Sequence, residues 1–431
     1  MVFDSKYKEE YKEEPLKEWE KESVMFVIPE GGKLGNLLVG VLERVSNIEG
    51  IQIKEAKDWD KDNDGSIKLE YENEEYEIGF VPRVFSLSEN AIRTQAKGQH
   101  FLSEEEIEKI VNVEEAYGIF MKFNADAKKS FQLQLKIALA IVPNLIGVYD
   151  ESAEVILPPK YVKMTANSKV KPGPDELYVV QAVTGENGEI WLHTHGLCRC
   201  GITELEILQS NIENYENHYN LISTFASYLL DKKNYFNTRE VVANIGMLVN
   251  KEPIVVTCVP WTKGLKEYKK NLNLGNITDR EYVHNSKTSL IFIYKNKKDE
   301  INKKYSKVDE YNNLWGKNPL FYISVEETER MKALAIERFD FVKQEVNKKD
   351  NKIFVKLAVP VDSGDNLEHL WGEVVEVEGD RFKAKIENEA YYINELHAGD
   401  EVWFTIDSVT YWKIYTPKFV VEPSKAYLLV K

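Results

Sequence analysis

The stretch "IFMKFNADAKKSFQLQLKIALAIVPNLIGVY", residues 119–149, reads as strand, helix and strand in that order. Its first residues are apolar, Asp126 stands where a helix N-cap belongs, and Phe131, Leu135, Leu139 and Val142 recur at helical spacing. An earlier stretch, residues 24–54, follows the same plan. There "VMFVIP" is followed by glycines, then by "LGNLLVGVLERV" with Leu37, Leu38, Val41, Leu42 and Val45 on one helical face, then by "IQIKEA". Each stretch leads toward a hairpin signal: "SIKLEYENEEYEIGFVP" alternates on either side of "ENEE", and "DELYVVQAV" and "EIWLHTHGL" flank the turn signal "GENG". The pattern predicts a diverged duplication of a βαβ-hairpin unit; simple βα alternation would produce the same order without common descent.

Working outward, the expected fold class is α+β. A mixed-charge tail (1–22) precedes a region of two related βαβ-hairpin units (23–320, divided into about 23–115 and 116–320), and a small helix-and-antiparallel-sheet domain closes the chain (321–431). At 431 residues the chain exceeds what one core supports, and 43% apolar residues with 11% aromatics are ample for folding. A net charge of −15 with no basic stripe argues against nucleic acid, whose phosphates demand clustered Lys and Arg. No run reaches the ~18 apolar residues of a membrane-spanning helix, and the N-terminal Lys/Glu alternation has no signal-peptide core. Three cysteines do not make a disulfide framework, so the expected compartment is the cytoplasm.

Chemistry concentrates in "IWLHTHGLCRCGITELEIL", residues 190–208, which holds two of the seven histidines and two of the three cysteines. On a strand His193 and His195 project to one face, and a turn at Gly196 and Leu197 would return Cys198 and Cys200 toward them as ligands for tetrahedral Zn²⁺. The spacing H-x-H-x-x-C-x-C is tighter than usual structural zinc spacing, and the competing reading makes the histidines hydrogen-bonding groups in a sheet and the cysteines small apolar fillers. Glu204 and Glu206 share a strand face; as carboxylates near two imidazoles they are candidates for general base or metal shell, with solvent exposure as the default. Arg199 lies close by and could pair with one of them or take part in catalysis.

Three further motifs carry possible chemistry. Asp60, Asp62, Asp64, Gly65 and Ile67 match the opening of an EF-hand calcium loop, but Tyr71 stands at the position of the bidentate Glu, which favours a plain turn. "PEGGKLGN" places glycines between strand and helix yet lacks the phosphate-loop and dinucleotide spacings. In the last domain, Glu368 and His369 could do acid/base work or, with Trp371 and Trp412, bind a partner; Trp371, Trp403 and Trp412 also suit a barrel core.

The last quarter of the chain resembles the small YegJ-like bacterial domain. The likeness rests on the amphipathic helix Val325–Val346, the strand "IFVKLAVP", Glu368, His369 and Trp371 in "EHLWGEV", Asn388, the pair Gly399 and Asp400 in "AGDEVWF", and Tyr411 and Trp412. It departs from that family at "NEA", where Asn-x-Pro is frequent, and at "TYW", where Asp-Trp is common. The resemblance implies a fold and no activity. The segment "LHTHGLCRCGITELEI" is similar to one in larger uncharacterised bacterial proteins that sometimes carry a YegJ-like domain behind it, some of whose relatives lie near toxin systems and have been suggested as immunity-type proteins. The expectation is a cytoplasmic, non-enzymatic protein-binding chain, immunity-like, with a protein partner and no cofactor. The alternative is a metal-dependent hydrolase centred on His193 and His195.

Overall fold

The computed structural model describes residues 22–32, 40–57, 65–84, 87–96, 100–232, 241–268, 272–280, 288–315, 319–361 and 366–430. The charged tail up to residue 21, Asp60, Asp62 and Asp64 of the acidic motif, residues 33–36 of "PEGGKLGN", and Leu37 and Leu38 of the first expected helix lie outside them. The chain is α+β and divides into two compact units, one of residues 1–162 and 172–324, the other of residues 163–171 and 325–431.

The first unit holds two sheets. The first sheet contains β1 (Glu22–Pro29), β2 (Ile51–Lys57), β3 (Gly65–Tyr71), β4 (Glu74–Val84), β5 (Glu115–Lys122), β6 (Leu145–Asp150) and β7 (Val155–Leu157), in the order β2-β3-β4-β5-β1-β6-β7. The decisive stretch forms as expected. Asp126 caps the helix Ala127–Ile141, its side chain accepting from the Lys129 amide at 3.0 Å. That helix is buried almost all round, Gln134 included, whose Nε2 donates to the Ser23 carbonyl at 3.2 Å. The expected hairpin turn at "ENEE" is also present, with Glu72 and Asn73 at φ 49° and 63°, the signature of a two-residue hairpin that matches strand twist.

The two stretches read as repeats are not equivalent in space. β5 and β6 flank β1 directly, both antiparallel to it, whereas β2 lies four places away at the sheet's edge. Both stretches therefore build one sheet instead of one unit each, because β1 is the strand that fills the gap a β5-helix-β6 crossover leaves open.

The second sheet comprises β8 (Val179–Thr184), β9 (Ile190–His195), β10 (Glu204–Ser210), β11 (Val242–Met247), β12 (Pro253–Pro260), β13 (Thr288–Ile293), β14 (Ser306–Lys307) and β15 (Leu320–Phe321). Its order is β15-β11-β12-β13-β10-β9-β8, with β14 beside β13; β10 and β13 are parallel, the other pairs antiparallel. One face is covered by the helix Tyr215–Asp231, which buries Leu221, Ile222, Phe225, Ala226 and Leu229 against Leu192, Leu205, Ile207 and Val256. The opposite face carries a second cluster around Trp191, Trp261, Leu290 and Phe292. With apolar layers on both faces, β9, β10 and β13 are buried strands.

The second unit wraps one antiparallel sheet around Trp412. Its strands are β16 (Lys352–Pro360), β17 (Leu367–Glu378), β18 (Arg381–Ile386), β19 (Glu401–Thr405), β20 (Val409–Tyr415) and β21 (Val420–Val421), in the order β19-β18-β17-β16-β20-β21. The helix expected over Val325–Val346 is two helices, Val325–Glu337 and Phe339–Glu345, broken at Arg338. Arg338 leaves helical geometry (φ −100°, ψ 14°) while its Nη1 donates to the Pro423 carbonyl at 2.6 Å. Ala335, Phe339 and Val342 still reach the core, as their spacing requires.

Candidate functional site

Strand β9 places Trp191, His193 and His195 on one face, and the pairing of His193 with Glu206 and with Gln181 extends that face across β10 and β8. His193 and His195 do stand together, ring centroids 5.0 Å apart, with Trp191 4.7 Å beyond His193. Both histidines are buried, at 3% and 9% exposure. Cys198 and Cys200 lie in the one-turn 3-10 helix that follows. Among the described residues, no three His, Cys, Asp or Glu side chains converge to hold a metal ion. The turn that could have swung the cysteines back toward the histidines wraps around Glu204.

Glu204 and Glu206 are buried, contrary to the solvent default for strand glutamates. Glu204 accepts from Thr194 Oγ1 (2.7 Å) and from the amides of Gly196 (3.0 Å) and Cys198 (2.9 Å), so it is the tie that shapes the turn after β9. Burial pushes its carboxyl above the usual range, against the pull of His195 and of those donors. Glu206 is fully enclosed: Arg280 Nη1 donates to its Oε1 at 2.6 Å, Nη2 to its Oε2, and Trp191 Nε1 to the same oxygen at 3.1 Å. The Arg280 guanidinium lies 5.3 Å from the Trp191 ring and 5.0 Å from the Trp261 ring, and its Nε donates to the Gly275 carbonyl at 3.1 Å.

Arg199 pairs with neither glutamate. Its Nη1 meets both oxygens of Asp150 at 2.7 Å, and its Nε and Nη2 hold the Leu177 carbonyl at 3.2 and 2.7 Å. Phe123 and Phe131 flank it at 5.6 and 5.0 Å. The Leu177 carbonyl is why Gly196 cannot be replaced: at φ 112° a Cβ there would sit 2.6 Å from that oxygen. Arg280 and Asp150 are the partners sequence reasoning missed. "ELEIL" carries no signal of either: carboxylates alternating with aliphatic residues read as a strand with one face in water, and Glu204 is buried on donors from Thr194 and two amides.

His195 is linked to an open cleft through a neighbouring carboxylate. His195 Nδ1 lies 3.4 Å from Glu154 Oε1, and Gln181 Nε2 donates to Glu154 Oε2 at 3.3 Å. Glu154 in turn borders a cleft of about 930 Å³ that opens beside β8.

In the second unit, Glu368 is buried at 7% and accepts from the amides of Tyr391 (2.6 Å) and Tyr392 (3.0 Å), two side chains that are 86% and 73% exposed. Asn388 Oδ1 accepts from the Trp371 amide at 2.9 Å and pins the same loop. His369 points outward on β17. Trp412 is a core residue, wholly buried with Nε1 donating to the Ala335 carbonyl at 3.0 Å, so its ring is unavailable to a partner. Glu368, a candidate binding residue, holds the loop that exposes two tyrosines.

An α+β chain with an internal charge network and an open cleft is the class these features define. Residues 23–172 match the family profile described as protein of unknown function (DUF4026) N-terminal, and residues 180–292 its C-terminal counterpart. Residues 331–421 match that of an uncharacterized protein conserved in bacteria (DUF2314). No curated protein and no solved structure matches the chain. Among the described residues, no helix is long and apolar enough to cross a membrane.

Proposed function

We propose that this chain acts in the cytoplasm by binding another protein, in an immunity-like manner, and that it catalyses no reaction. The observation that carries this reading is the commitment of the candidate carboxylates to the scaffold: Glu204 serves three donors and Glu206 is locked by Arg280 and Trp191. A general base needs a carboxylate oxygen within reach of a substrate proton, and these two are enclosed. Affinity capture with the full chain from cells that encode it tests the reading. A specific partner, released as salt is raised, is the expected result; repeated captures with nothing above background overturn it.

A hydrolase centred on His193 and His195 is the second reading, and one observation favours it: His195 stands 3.4 Å from Glu154 and close enough to the buried carboxyl of Glu204 to act on it, so an imidazole lies between two carboxyl groups. Elemental analysis of untagged protein separates the two. Stoichiometric zinc lost on His193→Ala and His195→Ala supports the metal-dependent hydrolase, and folded protein purified without metal removes that form of it.

A further inference from the structure

β7 and β8 are the terminal strands of their two sheets, and residues of both line the cleft. Sheet edges are ordinarily protected by Lys, Pro, bulges or a covering element, because unpaired amides and carbonyls invite another strand. β8, "VVQAVT", has neither charge nor proline, and its register with β9 is unbroken over Val179–Thr184. Among the described residues no strand pairs with its outer side.

Which groups face outward follows from the turn. The Gly185 amide donates to the Glu189 carbonyl at 2.8 Å, which makes that pair a hydrogen-bonded one. Hydrogen-bonded and non-hydrogen-bonded pairs alternate along an antiparallel ladder, so Val183, Gln181 and Val179 bond inward to β9. Thr184, Ala182 and Val180 therefore aim amide and carbonyl away from the sheet, and Ala182 and Val180 line the cleft.

The facing wall specifies side-chain chemistry. Tyr215 and Tyr219 lie one turn apart on the helix Tyr215–Asp231, ring centroids 6.1 Å apart, with Glu216 beside them. Glu154 lines the same cleft, oriented by Gln181 and His195. No Lys or Arg is among the described lining residues. Two carboxylates and two aromatic rings without a competing cation complement a long cationic side chain. A volume of about 930 Å³ is at the upper end for a ligand cavity, suited to an extended segment more than to a small metabolite.

We propose that this cleft takes an extended peptide from a protein partner as an added strand on β8, with a Lys or Arg side chain lodged among Glu154, Glu216, Tyr215 and Tyr219. The inference rests on the protein-binding reading and names the place and chemistry of the contact. Main-chain pairing to Val180 and Ala182 gives affinity, and the acidic, aromatic wall gives selectivity.

The test uses the full chain and a panel of blocked octapeptides that alternate Val or Thr with Lys, matched to a panel with Glu in place of Lys. Fluorescence anisotropy at low salt is expected to show the Lys peptides binding at least about tenfold more tightly. Amide exchange is expected to slow at Val180 and Ala182 when a Lys peptide is added. Ala182→Pro removes one outward amide without touching the β9 ladder, as edge positions permit, and is expected to weaken binding by about tenfold or more. Glu154→Gln with Glu216→Gln is expected to abolish the Lys preference. Absence of binding across the panel, or binding that leaves the two amides unchanged, overturns the inference; the exchange result decides it even if Ala182→Pro fails to fold. Slow exchange at these amides without peptide, rising with protein concentration, assigns the edge to a second copy of the chain and also overturns it. If folded Ala182→Pro protein still captures the wild-type partner from lysate, this inference fails and the binding reading stands. If the wild type captures nothing, the broader reading itself fails.

Discussion

Two arginines hold the interior of the first unit, and what each holds is a backbone carbonyl as well as a carboxylate. Arg280 joins Glu206 of β10 to the Gly275 carbonyl; Arg199 joins Asp150 of β6 to the Leu177 carbonyl. Removing one partner of such a pair strands a buried charge. Arg280→Met is accordingly expected to lower unfolding free energy by about 3–5 kcal/mol in urea titration, and Arg280→Met with Glu206→Met to recover much of that loss. A double variant no more stable than the single would mean that the Gly275 anchor, not the ion pair, is what matters. His218 offers a second measurement. It is fully enclosed, with Nδ1 2.8 Å from Ser210 Oγ and Nε2 2.9 Å from Asn312 Oδ1, and burial pushes its pKa down to about 4. The unfolded chain therefore binds the proton first as pH falls. The contribution is fully present above the unfolded value of ~6.5 and is lost between there and pH 4, amounting to about 3 kcal/mol at most. The stability difference between wild type and His218→Gln should shrink across that window, and a difference that is flat with pH would show that His218 remains neutral when unfolded or charged when folded.

Among the elements, β8 and the loop after β18 are those whose form exceeds what stability needs. β8 leaves an unprotected edge beside an acidic cleft. The loop keeps two tyrosines in solvent because Glu368 accepts from both their amides. Glu368→Ala is expected to raise amide exchange at Tyr391 and Tyr392 by about tenfold or more, since a buried amide bonded to a carboxylate is worth about 1.5–3 kcal/mol, while the core around Trp412 keeps its fluorescence. Unchanged exchange would mean that Asn388 alone pins the loop. At this scale the sequence was largely legible. Asp126 as N-cap and the "ENEE" and "GENG" turns are local signals, and each formed where its residues stand. The break at Arg338 was not, because the helical spacing runs on through it; its side chain meets a carbonyl at Pro423, far along the chain.

For the molecule as a whole, local pattern decided that there are strands, helices and hairpins in an α+β chain of more than one compact unit. Amphipathic spacing and turn chemistry act over a few residues and need no distant partner. Which strands meet was decided in three dimensions: β1 lies between β5 and β6, and β2 lies at the far edge, although both stretches have the same strand–helix–strand order. The same division runs through residues 190–208. Period-two geometry correctly put His193 and His195 on one face, a property of any strand. The burial of Glu204 and Glu206, the pairing of Arg199 with Asp150, and the use of the turn to enclose a carboxylate instead of a metal came only with the tertiary fold. A carboxylate's fate depends on whether a cation or amide reaches it from elsewhere, and Arg280 lies 74 residues from Glu206. Sequence carries the alternation of a strand; only the packed sheet decides which of its faces meets water.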